Sequence, residues 1–418
     1  MSLSSPPRRP ERPSVRTGTA PGPSRDRTRP TRSRPAVPDR FPARPGPADR
    51  QVLWLYLLTR VGIWITAYCT CRLFPGDRRS RYAASFLSPW QQWDWWHYLH
   101  IAQDGYFPEP TGGGAAADGD NREAFFPGFP LALRAVHTFV PDWSAAGALI
   151  SFVAGGVAVL ALARIARLYL PDEVGQRAVL FFLFSPCAVF LAAGYTEALF
   201  LSLALPAWLA AQRLNWPLAA VLACLATTVR VSGLFLSAAL AVHFLTTARS
   251  SGRWRALPWL ALPALPPLLH SWYLHAHTGD WMAWKHAEER GWYRDFHAPW
   301  EAWRNTWHAA FGHSQATGYA VMDQAELLTM LVGVALCALL IRRRRWAEAV
   351  YIGLNLWALG TSYWYTSLPR ATLLWWPLWT GLAAWSLRRP LVRTAYLAIV
   401  APLMTVFAVT FLSGRWAG

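Results

Sequence analysis

From residue 52 to the C-terminus, apolar runs alternate with short polar breaks, and many approach the roughly 20 residues that a helix needs to cross a bilayer. The first runs from Gln51 to about Phe74. Further helices are predicted near 145–163, 178–193, 197–211, 217–229, 232–247, 257–275, 321–341, 346–361, 371–387 and 394–413. The pattern predicts an all-α polytopic membrane protein of about eleven transmembrane helices, several of them short for independent spans.

Three stretches break the pattern. Residues 1–50 are Pro, Arg, Ser, Thr and Gly with almost no aliphatic content, and are expected to be a disordered cytoplasmic tail. Residues 75–143 form a long first loop that gathers Asp77, Asp94, Asp104, Glu109, Asp118, Asp120, Glu123 and Asp142. Residues 276–320 form a second, with six tryptophans between Trp281 and Trp307 among His, Arg and Lys285. That mixture suits an interfacial helix or a lid.

Composition supports the membrane reading. The chain is 54% hydrophobic and 15% charged, with 26 tryptophans in 418 residues. Its net charge of +17 raises nucleic acid as a partner, but twelve arginines and four acids lie in residues 1–50 and most other basic residues sit at helix ends. From a cytoplasmic N-terminus, alternation puts Arg164, Arg167, Arg177, Arg213, Arg249, Arg253, Arg255, Arg342 to Arg345, Arg388, Arg389 and Arg393 inside, as the positive-inside rule requires. Both long loops then fall outside, and nucleic acid is not expected. The five cysteines lie in apolar segments without paired spacing and read as packing residues.

The candidate chemistry is concentrated in W-Q-Q-W-D-W-W-H-Y-L-H-I-A-Q-D-G-Y, Trp90 to Tyr106. Gln91, Asp94, His97 and His100 recur every third residue, making a narrow polar face on a helix that Gly105 would end. The face would hold Asp94 toward a cavity or water at the outer interface. A carboxylate near an acceptor hydroxyl can act as general base, and flat rings such as Trp93 suit sugar C–H surfaces. The alternative is an aromatic belt in which Asp94 faces solvent. Asp94, His97 and His100 have spacing a metal could use, but no second ligand cluster accompanies them.

Ionisable residues within or beside spans are costly and are functional candidates. Glu197 in G-Y-T-E-A-L-F, Arg230 in A-T-T-V-R-V-S-G-L-F and Arg370 in S-L-P-R-A-T-L-L are all predicted near outer helix ends, on the side of Asp94. Guanidinium groups at that depth suit a lipid-linked phosphate, through paired hydrogen bonds and charge. The structural alternative is that each arginine snorkels or pairs with Glu197.

The runs W-D-W-W-H-Y-L-H-I-A-Q-D-G-Y, A-F-F-P-G-F-P-L-A-L, F-S-P-C-A-V-F-L-A-A-G-Y-T-E-A-L-F and A-T-T-V-R-V-S-G-L-F, in this order, resemble the PIG-V-like mannosyltransferases, integral-membrane glycosyltransferases of the GT-C class. The resemblance implies a GT-C-like transmembrane domain over residues 51–418 and a catalytic acid in the first extracytoplasmic loop. It also implies a polyprenyl-phosphate sugar donor, usually mannose, and no nucleotide sugar. Asp94 matches the acid of the W-D motif, and Glu197, Arg230 and Phe125 to Pro130 match the later ones. The insertion P-E-P-T-G-G-G-A-A-A-D-G-D-N-R-E leaves Glu109 or Glu123 as the second acid, with Glu123 preferred because it abuts A-F-F-P.

The expected function is therefore an inverting mannosyltransferase at the cell membrane. Catalytic residues are Asp94 and Glu123; substrate is held by Trp93, His97, Glu197, Arg230 and Arg370. The donor is polyprenyl-phosphate mannose, the acceptor a lipid-linked or envelope glycan, and membrane lipids surround both. No cofactor or metal ligand set is assigned, and a divalent metal stays open. The rival readings are a lipid-linked glycan transporter and a GT-C enzyme using another polyprenyl-phosphate sugar.

Overall fold

The computed structural model describes residues 46–74, 86–108, 121–168, 170–251 and 254–418. The expected tail before residue 46, and Asp77, Glu109, Asp118 and Asp120, lie outside the described residues. Among these residues the protein is built of helices, with no strand.

The first eight α-helices are α1 Pro47–Leu73, α2 Asp94–Asp104, α3 Gly128–His137, α4 Trp143–Arg167, α5 Glu173–Leu183, α6 Thr196–Gln212, α7 Trp216–Val229 and α8 Ser232–Ser251. They are followed by α9 Leu265–Thr278, α10 Ala283–Trp292, α11 Pro299–Phe311, α12 Thr317–Arg342, α13 Trp346–Gly360, α14 Leu368–Ala371, α15 Trp376–Arg388 and α16 Pro390–Leu412. Four of them, α1, α4, α12 and α16, are long and apolar enough to cross a membrane; α7 and much of α8 are shorter apolar helices. The protein is an all-α, multi-pass membrane protein, with fewer full-length spans among the described residues than the eleven expected.

Proline explains much of the shortening. The helix expected over 178–193 ends at Leu183, and the chain turns through Ser185-Pro186 into a 3-10 segment, Ala188–Leu191. A proline removes an N–H and disfavours α geometry in the residue before it. The segment 257–275 likewise divides into a 3-10 run, Trp254–Ala264, containing Pro258 and Pro263, and α9.

The α1 stripe Val52, Tyr56, Ile63 and Ala67 follows the 3.6-residue period and is buried, whereas Trp54, Leu58, Val61 and Ile65 face outward. Tyr56 donates to the Phe152 carbonyl at 2.7 Å. Gly155 permits the approach, because a Cβ there would stand 2.4 Å from the Tyr56 hydroxyl oxygen. At the start of α1, Asp49 accepts from Arg164 at 2.8 Å and Arg167 at 2.6 Å, fixing the end of α4 beside it. The helix thus begins at Pro47, ahead of the expected Gln51, and ties its first turn into the bundle. Small residues on α4, α6 and α7 let those helices pack closely, as in membrane bundles generally.

Candidate active site

The approach to α2 decides where Asp94 points. Trp93 adopts φ 45°, outside the ordinary regions for a residue with a side chain, and the helix begins immediately after it. The carbonyl before this turn, that of Gln92, accepts from the Tyr195 hydroxyl at 2.5 Å. Within α2, Trp95 is almost wholly buried and its ring fills a slot between two glycines. A Cβ on Gly147 would lie 2.6 Å from that ring, and one on Gly194 would lie 2.5 Å from it. α2 is therefore clamped into the bundle by Trp95, Tyr98, Leu99, Ile101 and Ala102, with Trp93 and Trp96 outward. The narrow polar face expected from Gln91 onward is real only from Asp94, since Gln91 precedes the helix and donates to Ser144 at 2.7 Å.

Asp94 stands at the first turn of α2, where the N-terminal dipole favours a carboxylate. Its Oδ2 accepts from Nη1 of Arg370 at 2.7 Å. The same guanidinium donates through Nε to Oε1 of Glu197 at 2.6 Å. Arg230 completes the cluster, with Nη1 donating to Glu197 Oε1 at 2.7 Å and to Thr196 Oγ1 at 2.5 Å. Both arginines thus pair with Glu197, and Arg370 also grips the predicted base. Burial acts to raise the Asp94 carboxyl, but Arg370, His97 and Arg230 outweigh it and hold the group below its ordinary value.

Arg370 is over-determined. Its guanidinium lies between the rings of Phe190 and Tyr195, at 4.7 and 4.8 Å. It sits on the single turn of α14, which follows Ser367 at φ 68°. That strained entry is held by Glu326 of α12, whose two carboxylate oxygens accept from the Ser367 N–H at 2.7 Å and the Leu368 N–H at 2.8 Å. A carboxylate inside an apolar run thus acts as an N-terminal cap for the turn that carries Arg370.

Asp94, Arg230 and Arg370 line a cavity of about 120 Å³ with Tyr98, Phe125, Phe126 and Thr196. Trp284, Glu288, Trp292, Arg294 and Trp416 close its other walls. None of these five was singled out from sequence, although the tryptophan-rich loop was the signal for four of them. Burial raises the Glu288 carboxyl, with Arg294 and Arg230 opposing and Asp94 adding to the rise. Phe126 and Val229 line this cavity, while their neighbours Pro127 and Thr228 line an adjoining apolar groove of about 600 Å³ bounded by Leu131, Leu269 and Tyr273.

Not every expected residue reaches the cavity. Trp93 packs edge-on against Trp416, ring centres 5.6 Å apart, so the C-terminal ring rather than Trp93 forms the wall. His97 stacks on Phe125 at 4.7 Å and supports that wall from behind. Glu197 acts through its two arginines. Glu123 follows Arg122 in a 3-10 turn outside the cavity lining. Among the described residues, no group of three or more His, Cys, Asp and Glu side chains converges as a metal site.

The multi-pass helical scaffold thus holds a buried carboxylate–guanidinium cluster near an apolar groove, and ionisable groups buried in such a scaffold mark a functional site. Residues 65–251 match the family model described as Mannosyltransferase (PIG-V), bearing out the resemblance read from the motifs. GPI alpha-1,6-mannosyltransferase 2 of Mus musculus is 34% identical over 179 residues, 40% of this chain and 34% of that protein. The Homo sapiens protein of the same name is 32% identical over 225 residues, 51% of this chain and 42% of that protein. The matches thus span between a third and a half of these relatives' own length. Asp94, Glu197 and Arg230 fall inside the matched segment, whereas Glu288 and Arg370 come from beyond it.

Proposed function

We propose that the protein is an inverting mannosyltransferase that takes mannose from a polyprenyl-phosphate donor and passes it to a glycan acceptor on the extracytoplasmic face. The observation that carries this reading is the Asp94–Arg370–Glu197 chain of charges facing a cavity that adjoins an apolar groove. The groove suits an isoprenoid tail, and the polar cavity suits the sugar phosphate attached to it.

In this reading Asp94 accepts the proton of an acceptor hydroxyl as that oxygen bonds to the anomeric carbon of the donor. The bond from that carbon to the phosphate oxygen breaks, and polyprenyl phosphate leaves with the electron pair. Arg370 engages only Oδ2 of Asp94, leaving the other oxygen for the hydroxyl. Arg370 is occupied by two carboxylates, so it positions and ionises Asp94. Arg230, more exposed at 25%, is the cation available to the leaving phosphate. A single displacement needs one base, so the reading does not depend on Glu123.

Purified protein supplied with polyprenyl-phosphate mannose and envelope glycan acceptors tests the proposal. Transfer is expected, and Asp94→Asn should lower turnover by about 10²–10⁴-fold. An Asp94→Asn protein with full turnover would sink the mechanism, and glucose or arabinose donors in the same assay identify the sugar. A reporter after Gly112 should read extracytoplasmic and one after Arg345 cytoplasmic; the reverse would put Asp94 on the wrong side.

A further inference from the structure

One wall of the cavity comes from a helix that the transfer chemistry leaves without a role. α10 carries Trp284, Glu288 and Trp292 at intervals of four, so the three share one helical face, and all three line the cavity that Asp94 enters from α2. Ala283 and Ala287 are buried on the helix's other side. The helix is docked on the chain just ahead of Phe125. Arg290 Nε donates to Asn121 Oδ1 at 3.3 Å, and Gly291 lies so near that a Cβ there would stand 2.8 Å from Asn121 Nδ2. Just past the end of α10, Arg294 reaches back to Glu288 at 3.1 Å, and its buried Nε has no hydrogen-bond partner among the described residues.

Two indoles flanking a carboxylate, with a guanidinium beside it, select among ligand classes. An apolar chain would desolvate the Glu288–Arg294 pair and leave the buried Arg294 Nε without an acceptor, which is costly. A phosphate at this wall would meet the charge of Glu288. A pyranose satisfies both parts: its C–H face lies on an aromatic plane, and its hydroxyls donate to the carboxylate and accept from the guanidinium.

We propose that the Trp284–Glu288–Trp292 face, with Arg294, is a saccharide subsite that holds the acceptor sugar ring with one hydroxyl directed toward Asp94. The assignment of that ring as acceptor rests on the mannosyltransferase reading. The subsite separates the two partners in space: the donor phosphate lies with Arg230 and the acceptor ring with α10.

The full chain in lipid nanodiscs, probed with methyl α-D-mannopyranoside by saturation-transfer NMR, tests the subsite without requiring turnover. Wild type should bind the mannoside, whereas Glu288→Gln and Trp284→Leu should each weaken it by about tenfold. No binding by wild type, or equal binding by all three proteins, overturns the subsite. In the transfer assay, Glu288→Gln should raise the acceptor KM and leave the donor KM unchanged; a raised donor KM with an unchanged acceptor KM would also overturn it. A wild-type protein that binds the mannoside in this pattern but never cleaves the donor would reject the transferase reading and leave the saccharide subsite standing.

Discussion

Arg370 donates to Asp94 across 276 residues of chain at 2.7 Å, and the remaining side of its guanidinium is taken by Glu197. Asp94 is therefore held in place by a residue outside the segment that matches the family model, and two distant parts of the chain meet in this ion pair.

Removing that buried arginine should be strongly destabilising, because it pairs with two carboxylates. Arg370→Met strands Asp94 and Glu197 with less compensation in a buried setting, a loss of about 3–5 kcal/mol. Arg370→Lys keeps the charge but not the fork that reaches both carboxylates. Thermal unfolding in detergent should rank wild type above Lys above Met, and a Met variant as stable as wild type would show that the cluster is not coupled to folding.

The two cavity carboxylates should respond oppositely to pH. Asp94 has a lowered pKa in the fold, so its contribution to stability is present above the unfolded value of about 3.9 and is lost as pH falls through the folded value. Glu288 has a raised pKa, so its contribution is fully present below the unfolded value of about 4.3 and is lost as pH rises through the folded value. On acidification Glu288 takes up its proton first. The acceptor KM should therefore change at a higher pH than the one at which kcat falls, and Glu288→Gln should abolish the first change alone.

The Trp95 slot predicts a strict limit on residue size. Gly147→Ala and Gly194→Ala each place a methyl group well inside contact distance of the indole ring, at 2.6 and 2.5 Å. Each should cost about 1–3 kcal/mol by overpacking and tilt α2, lowering thermal stability and turnover together. Trp95→Phe in the Gly194→Ala background should recover part of both.

Glu326 should matter for catalysis although it touches no substrate. Glu326→Gln replaces one of the two acceptors facing the Ser367 and Leu368 N–H groups with an amide donor, at a cost of about 1–3 kcal/mol. The loosened turn should misplace Arg370 and lower kcat with both KM values preserved. A variant with wild-type kcat and only a lower melting temperature would reduce Glu326 to a folding role.

Asp94 was legible because it is an isolated acid among tryptophans, and Glu197, Arg230 and Arg370 because charge in apolar sequence is conspicuous. Glu288 was not, since it lies beside Glu289, Arg290 and other charges that make it look like a solvated face. Glu326 is likewise isolated in an apolar run, but only its proximity to a turn 41 residues away gives it a purpose. Glu123 was favoured by sequence adjacency to A-F-F-P, and adjacency did not carry its side chain into the cavity. The helix ends were misplaced where prolines broke apolar runs whose hydrophobicity continues across the break.

By itself the sequence determined what depends on local composition: a multi-pass helical protein, a first loop rich in acids, and the family to which residues 65–251 are similar. Apolar periodicity and motif order are properties of neighbouring residues, so no folding was needed to read them. Only the tertiary structure decided that Arg370 holds Asp94, that Glu326 holds Arg370, and that α10 supplies the facing wall. Those relationships arise when distant segments pack, because a buried charge must find its partner in space and takes it from wherever the chain returns.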